Sequence, residues 1–286
     1  MIVVGNLVAG GSGKTPLALW IAEHLGAKGW SPAIVSRGYG GTAETARAAT
    51  IASEPGEVGD EPILLARRSG CPVWVGRDRI AAIAAMRAQH PDCNIVILDD
   101  GLQHYRLARD VEIAVVDSRG FGNGFLLPAG PLREPRARLR SVGAVIAHDI
   151  EQAEVQRFAG RRPVFAMALQ GEELHRATDA RDRRLARSFA GQRVHAVAGI
   201  GDPQRFFGYL EKFGVQPVPH PFPDHHPFRP EDLEFGDDSP VMMTEKDAVK
   251  CKRFARPHHW VLPVYAAPEP AFGEWLSRQL GKRKRT

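Results

Sequence analysis

The chain opens M-I-V-V-G-N-L-V-A-G-G-S-G-K-T-P-L (residues 1–17), and the reading of this stretch decides the fold. A short apolar run ends in a glycine-rich loop, and a run with helical periodicity follows. Strand, glycine loop and helix in that order is the context in which G-K-T becomes a phosphate site. Gly10, Gly11 and Gly13, with Ser12 among them, let the backbone wrap closely, so that successive N–H groups point at one phosphate. Lys14 adds a point charge, the Thr15 hydroxyl can bind Mg²⁺, and the helix N-terminus adds partial positive charge. The usual pattern G-x-x-x-x-G-K-[ST] has glycine first, where this chain has Val8; the departure weakens the match only slightly. The plain alternative is a tight strand–helix turn. Such a turn needs glycines but gives no reason for G-K-T.

Working outward, Pro16 is well placed in the first turn of the following helix. S-P-A-I-V-S (31–36), P-V-W-V (72–75), C-N-I-V-I-L-D-D (93–100), V-E-I-A-V-V-D (111–117) and G-A-V-I-A-H-D (143–149) read as strands. Helical stretches such as D-R-I-A-A-I-A-A-M-R-A-Q (78–89) separate them. Continuous apolar strands with helices between them predict a parallel sheet covered on both faces. The expected fold is therefore α/β: a P-loop NTPase-like, doubly wound domain over residues 1–165. The pattern then restarts. R-V-H-A-V-A-G-I-G-D-P (193–203), P-Q-R-F-F-G-Y-L-E-K-F-G (203–214) and P-V-M-M-T-E-K-D-A-V-K (240–250) predict a second, smaller α/β domain over 166–286. P-V-F-A-M-A-L-Q (163–170) and W-V-L-P-V-Y-A (260–266) are expected to pair as a linker.

Composition sets outer bounds. The chain has 286 residues, 43% of them hydrophobic and 25% charged, which suits a folded protein with a sizeable core rather than a disordered one. No uninterrupted apolar run approaches about 18 residues, so no transmembrane helix is expected. No signal peptide is read before the first strand. Cys71, Cys93 and Cys251 are scattered, without metal-ligand spacing, which fits a reducing compartment. The net charge of +5 is concentrated at 133–140, 181–187 and 282–285. Such clusters suit a phosphorylated substrate, anionic lipid or nucleic acid, or are simply solvated. No aromatic–basic interleaving of the RNA-binding type is present, and nucleic acid is not expected as a partner.

Further stretches carry chemistry. Asp99 and Asp100 end an apolar strand of the same domain as G-K-T, where one acid would hold Mg²⁺ directly or through water; a helix cap is the alternative. Asp60 and Glu61 in V-G-D-E-P-I-L-L-A (58–66) precede a helix, and complementing its dipole is an equally good account of them. F-P-D-H-H-P-F (222–228) places two histidines and an aspartate in a proline-rich loop, readable as metal ligands or as a His–carboxylate pair for proton removal. Arg37 in S-R-G-Y-G-G (36–41) and Arg133 in G-P-L-R-E-P (130–135) stand where an arginine can clamp phosphate.

V-G-N-L-V-A-G-G-S-G-K-T-P, S-R-G-Y-G-G, G-D-E-P-I-L-L-A-R, D-D-G-L-Q-H-Y-R-L-A-R-D, G-P-L-R-E-P, A-G-I-G-D-P-Q-R-F-F, F-P-D-H-H-P-F and T-E-K-D-A-V-K occur in this order. Together they closely resemble the tetraacyldisaccharide 4'-kinase (lipid A 4'-kinase) family of Gram-negative bacteria. The resemblance implies phosphate transfer from ATP to the 4'-hydroxyl of a tetraacyldisaccharide 1-phosphate, a glycolipid, giving lipid IVA. It implies ATP and Mg²⁺ as cofactors and a cleft between two α/β domains. It also implies peripheral attachment to the cytoplasmic face of the inner membrane through an anionic lipid surface. Lys14 and Thr15 then match the phosphate-loop residues, and Asp99 and Asp100 the acidic pair near Mg²⁺. Asp60 matches the catalytic base, His225 its supporting histidine, and Arg133 and Glu134 an active-site pair. Glu61, Arg37 and Arg79 are further active-site matches. Family members usually carry a few dozen residues before the first strand, including an amphipathic helix that contacts the membrane. This sequence opens at the strand, and a member lacking that segment would be soluble. A partitioning-type ATPase switch also uses x-G-G-x-G-K-T, but generally with a lysine where this chain has Ala9. A catalytically silent binding protein of this fold would have lost chemistry at Lys14, Thr15, Asp60, Asp99 or His225, and none is lost.

Overall fold

The computed structural model describes residues 1–283; the basic run at 282–285 lies outside the residues whose side chains are described. In chain order the first body begins with β1 (Ile2–Asn6), α1 (Lys14–Gly26), β2 (Pro32–Ser36), β3 (Arg47–Ala49) and α2 (Pro55–Val58). It continues through α3 (Asp60–Ser69), β4 (Val73–Val75), α4 (Arg79–Gln89), β5 (Ile95–Asp99) and β6 (Val111–Asp117). A 3-10 turn at Arg136–Arg140 leads to β7 (Ala144–His148), α5 (Gln152–Ala159) and β8 (Val164–Gln170). Then come β9 (Glu173–Arg176), β10 (Arg183–Leu185), β11 (Arg193–Ala198), α6 (Pro203–Glu211) and β12 (Gln216–Pro221). The chain closes with β13 (Val241–Thr244), α7 (Glu245–Cys251), β14 (His259–Leu262), β15 (Tyr265–Pro268) and α8 (Pro270–Arg283).

Among the described residues the larger sheet has nine strands in the order β15-β8-β7-β6-β1-β5-β2-β4-β3. All pairings from β8 to β4 are parallel; the edge strands β15 and β3 run antiparallel to their neighbours. Side chains alternate along each strand. Ile2, Val4, Ile95 and Ile97 therefore point into the core under α1, α3 and α8, while Val3, Val96 and Leu98 point into the core under α4 and α5. Burial on both faces explains why these strands read as unbroken apolar runs. This is the P-loop NTPase-like α/β architecture, with the smaller sheet, β10-β9-β14-β13-β11-β12, beside it. There β12, β11, β13 and β14 are parallel, with α6 on one face and α7 on the other.

The division expected at 165/166 is corrected. β8 continues the larger sheet to Gln170, and the chain returns to that sheet at β15. α8 then buries Phe272, Leu276 and Leu280 in the same core as Leu17 and Ile21 of α1. The smaller body is thus an insertion between β8 and β15. Pairing between the two crossing segments is present, but through 265–268 with 167–170; Trp260–Leu262 belongs to the smaller sheet. The two crossing strands touch where Gly171 faces the Pro263 carbonyl, only 2.0 Å from where a Cβ would stand, so glycine is required there. No described helix is long and apolar enough to cross a membrane.

Candidate active site

The glycine loop leaves β1 and enters α1 through Gly13, whose φ of 85° lies in the left-handed region. A side chain at Gly13 would also stand 2.7 Å from His148 Nδ1. Val8 pairs with Leu132 in an isolated bridge, Ala9 N–H donates to Pro131 O at 2.9 Å, and Arg133 N–H donates to Leu7 O at 2.6 Å. The position that is glycine in the usual pattern is thus held extended here, and a β-branched residue suits it. Lys14 Nζ donates to Asn6 Oδ1 at 3.2 Å and Gly10 O at 3.3 Å, and lies 3.6 Å from Asp100 Oδ1. The Thr15 hydroxyl donates to Asp99 Oδ2 at 3.3 Å. Ser12 is buried, and its carbonyl faces His148 Nδ1 at 3.1 Å.

Asp99 and Asp100 have different environments. Burial, then the charges of Glu61 and Asp100, push the Asp99 carboxyl up to about 7, against the pull of Lys14 and Thr15. Its Oδ1 is buried with no hydrogen-bond partner among the described residues. A buried acceptor beside a threonine hydroxyl, in a site that penalises its charge, fits a magnesium ion. Asp100 is buried too, but Lys14 and Arg133 outweigh that and hold its carboxyl low. Arg133 Nη1 donates to both Asp100 oxygens, at 3.0 and 2.9 Å. Glu134 accepts from Gln103 at 2.7 Å and from the Tyr105 hydroxyl. Arg79 is buried at the start of α4, donating to Gly76 O at 2.7 Å. Burial, then the charge of Arg37, lowers it to about 10, with Asp99 and Asp100 acting the other way. Arg37 itself is exposed just after β2.

The second cluster spans the two bodies. Asp60 begins α3 of the larger body and is buried; His225 comes from the loop after β12. His225 Nδ1 lies 3.1 Å from both Asp60 oxygens. Lys246 Nζ sits 3.3 Å from His225 Nε2, and also engages Asp224 at 2.8 Å and Glu61 at 3.3 Å. These partners assign Nδ1–H as donor to Asp60 and Nε2 as acceptor from Lys246. Burial raises the Asp60 carboxyl, but the His225 hydrogen bond and the Lys246 and Lys250 charges prevail and hold it low. Burial lowers the His225 imidazole, but its bond to Asp60 and the Asp60 charge prevail and raise it. The pair lines a cavity of about 230 Å³ with Tyr39, Gly56, Phe228 and Lys250.

The structure therefore brings Lys14, Thr15, Asp99, Asp100 and Arg133 together, with Arg79 and Glu134 one partner away. Asp60, Glu61 and His225 meet in the adjoining cluster, and the charge of Glu61 reaches Asp99. Arg37 bears on the set through its repulsion of Arg79. The second histidine, His226, instead pins its loop to Asp232 at 3.0 Å between Phe222 and Phe228. Lys246 and Lys250 belong to this cluster too, a role the sequence reading of T-E-K-D-A-V-K does not assign; the signal is an N-cap threonine ahead of lysines. The sequence reading also misses Arg119, which donates to Gly11 O at 2.6 Å and Ala9 O at 3.2 Å while held by buried Asp117. Its signal is an acid ending the apolar run at 111–117, two residues before an arginine.

The family model for Tetraacyldisaccharide-1-P 4'-kinase matches residues 1–281. A Tetraacyldisaccharide 4'-kinase from Aromatoleum aromaticum is 53% identical over 269 residues, 93% of this chain and 79% of that protein. One from Methylobacillus flagellatus is 48% identical over 284 residues, 98% of this chain and 82% of that protein. The crystal structure of LpxK from Aquifex aeolicus in complex with ATP matches with a TM-score of 0.77 and 27% identity, covering 97% of this chain and 87% of that one.

Proposed function

The chain belongs to the tetraacyldisaccharide-1-P 4'-kinase family, and on that premise we propose how its own residues carry out the transfer. It is an ATP-dependent kinase of lipid A synthesis that phosphorylates the 4'-hydroxyl of a tetraacyldisaccharide 1-phosphate to give lipid IVA. The observation that carries the residue assignment is the Asp60–His225 pair, contributed by two bodies, with Glu61 beside Asp60 close enough for its charge to act on Asp99.

The loop amides at Gly10–Thr15 bind the ATP phosphates, and Lys14 moves from Asp100 to the phosphoryl charge. Arg133 holds Asp100 in place when Lys14 leaves. Thr15 and Asp99 would hold a magnesium ion, which when bound neutralises charge on the phosphates. Asp60 accepts the hydrogen bond of the sugar hydroxyl and then its proton. His225 donates to both Asp60 oxygens and fixes the carboxylate plane, while Lys246 and Glu61 keep the imidazole turned toward Asp60. Phosphoryl transfer of this kind needs little covalent help, so alignment and charge stabilisation supply most of the rate. Arg79, Arg37 and Glu134 support the site through its electrostatics and loop packing. The enzyme works peripherally at the cytoplasmic face of the inner membrane, where its acylated acceptor lies.

The test is ³²P transfer from γ-labelled ATP to the disaccharide 1-phosphate by wild type and Asp60→Ala. The variant is expected to lose about 10²- to 10⁴-fold in kcat with its KM for ATP little changed. ATP hydrolysis by wild type without lipid phosphorylation would refute the transfer reading. Full transfer by Asp60→Ala would refute the base assignment alone.

A further inference from the structure

Three of the large apolar side chains most open to solvent are consecutive: Phe125 at 63%, Leu126 at 45% and Leu127 at 55% exposure. Their loop is not slack. Leu127 N–H donates to Leu132 O at 2.8 Å, Leu132 N–H to Phe125 O at 3.2 Å, and Gly130 N–H to Leu126 O at 3.0 Å. The Asn123 side chain closes the turn, accepting from Phe125 N–H at 3.1 Å and donating to Ala129 O at 2.9 Å. Phe121, buried edge-on against Phe158 of α5, anchors the root. The backbone polar groups are thus largely satisfied within the loop while three apolar side chains face outward. That is the state a segment needs in order to enter an apolar medium without stranding N–H and C=O groups.

Four exposed arginines, Arg136, Arg140, Arg161 and Arg162, stand on the 3-10 turn and just past the end of α5, which carries Phe158 beside the loop's root. The Arg136 guanidinium is 3.2 Å from where a Gly124 side chain would begin and lies over the Phe158 ring, and Arg162 donates to Arg140 O at 2.9 Å. None of the four makes a salt bridge among the described residues, whereas nearby Arg138 is tied to Glu112 and Glu134. An apolar tip with cations free of salt bridges beside its root complements an anionic bilayer surface.

We propose that Phe125–Leu126–Leu127 inserts into an anionic phospholipid bilayer, with Arg136, Arg140, Arg161 and Arg162 on the headgroups. The proposal rests on the kinase reading above and specifies where its membrane contact lies. The loop is joined to the catalytic machinery: Leu132 pairs with both Leu126 and Val8, and the next residue, Arg133, holds Asp100. Seating the tip therefore fixes the height of the phosphate loop over the surface in which a tetraacylated acceptor is dissolved.

Flotation with vesicles of phosphatidylcholine, with and without phosphatidylglycerol, tests this on the whole chain. Wild type is expected to float with the anionic vesicles. Phe125→Ser/Leu126→Ser/Leu127→Ser should lose about tenfold or more in vesicle affinity. It should still phosphorylate acceptor presented in detergent micelles and lose transfer to acceptor embedded in vesicles. Leu126→Trp should bind vesicles more tightly than wild type, a gain that misfolding does not produce. Arg136→Glu/Arg140→Glu should abolish the preference for phosphatidylglycerol. A wild type that does not float, a triple serine variant that floats as well as wild type, or a Leu126→Trp variant with no gain would each overturn the insertion. A glutamate variant that keeps the anionic preference would overturn the arginine collar. Failure of wild type to phosphorylate acceptor in micelles would instead refute the kinase reading.

Discussion

At the residue scale, the chemistry turns on one hydrogen-bonded pair and its pH dependence. His225 is raised above the ordinary imidazole value of 6.5 by Asp60, against the effect of burial. Its neutral form is therefore lost as pH falls through that raised value. The imidazolium would then face Lys246, and it would draw basicity from Asp60. Transfer is expected to decline on the acid side with a limb lying above 6.5 in wild type. His225→Asn keeps a donor toward Asp60 but cannot take up that proton. The variant should lose about tenfold or more in kcat, and its acid limb should move down into the carboxylate range. A limb that stays in place in the asparagine variant would assign it to another group. G-D-E-P and F-P-D-H-H marked these residues as candidates, but a helix-dipole role for Asp60 and metal ligation by the histidines stayed open until the resemblance paired them. Which histidine takes part was not legible from spacing: His225 sits at φ 62°, turned back toward Asp60, while its neighbour caps its own loop. Only the resemblance pointed to the right one.

At the element scale, the strand–loop–helix unit at the start was readable in full, because glycine spacing and helix polarity leave one arrangement of loop amides. Two glycines at the ends of α1, the N-cap Gly13 and the last residue Gly26, separate conformation from composition. Gly13→Ala places a side chain in the left-handed region, costing about 1–2 kcal/mol, and drives it against the buried His148 ring. It should destabilise the chain in urea by at least about 1–2 kcal/mol and raise the KM for ATP. Gly26→Ala, at the end of the same helix with open space around it, should instead stabilise by about 0.4–1 kcal/mol. Equal effects at both positions would contradict this account. The role of α6 was not legible, since A-G-I-G-D-P-Q-R-F-F reads as an ordinary strand–helix junction. In the fold its Arg205 reaches across to Asp149 and to His148 Nε2, at 2.8 Å from the latter. With Nε2 accepting, His148 donates through Nδ1 to the Ser12 carbonyl, so α6 braces the phosphate loop. Arg205→Ala should raise the KM for ATP about three- to tenfold, the loss of one charge-assisted bond, with kcat within about twofold. An unchanged KM would leave α6 without this function.

At the scale of the whole molecule, the site exists only while the inserted body stays docked on the larger one. Hydrophobic period cannot reveal such an insertion: it marks strands and helices but not which sheet a late strand rejoins, and β15 and α8 lie about a hundred residues beyond β8 in the chain. Docking is carried largely by α3 against α7. Asp60 and Glu61 at the start of α3 meet Lys250 and Lys246, and Arg68 near its end meets Glu245 at 2.5 Å. Arg68 also donates to Val264 O at 3.1 Å, where the chain turns back toward β15. Glu245 is nearly buried, and burial raises its carboxyl despite Arg68. Removing the arginine would leave that carboxylate without its cation, a loss of about 3–5 kcal/mol for a buried pair. Arg68→Ala should therefore loosen α7 from α3, lowering kcat by misplacing Lys246 and His225, with a smaller rise in the KM for ATP because α6 only braces a loop that the larger body forms. Arg68→Met/Glu245→Met replaces both charges with apolar groups of similar length. If docking rather than charge is what the pair provides, the double variant should recover most of the stability and the kcat lost by the single one. Stability restored without kcat would mean that Glu245 acts on the chemistry itself, and urea unfolding measured beside transfer kinetics on the three proteins separates the two.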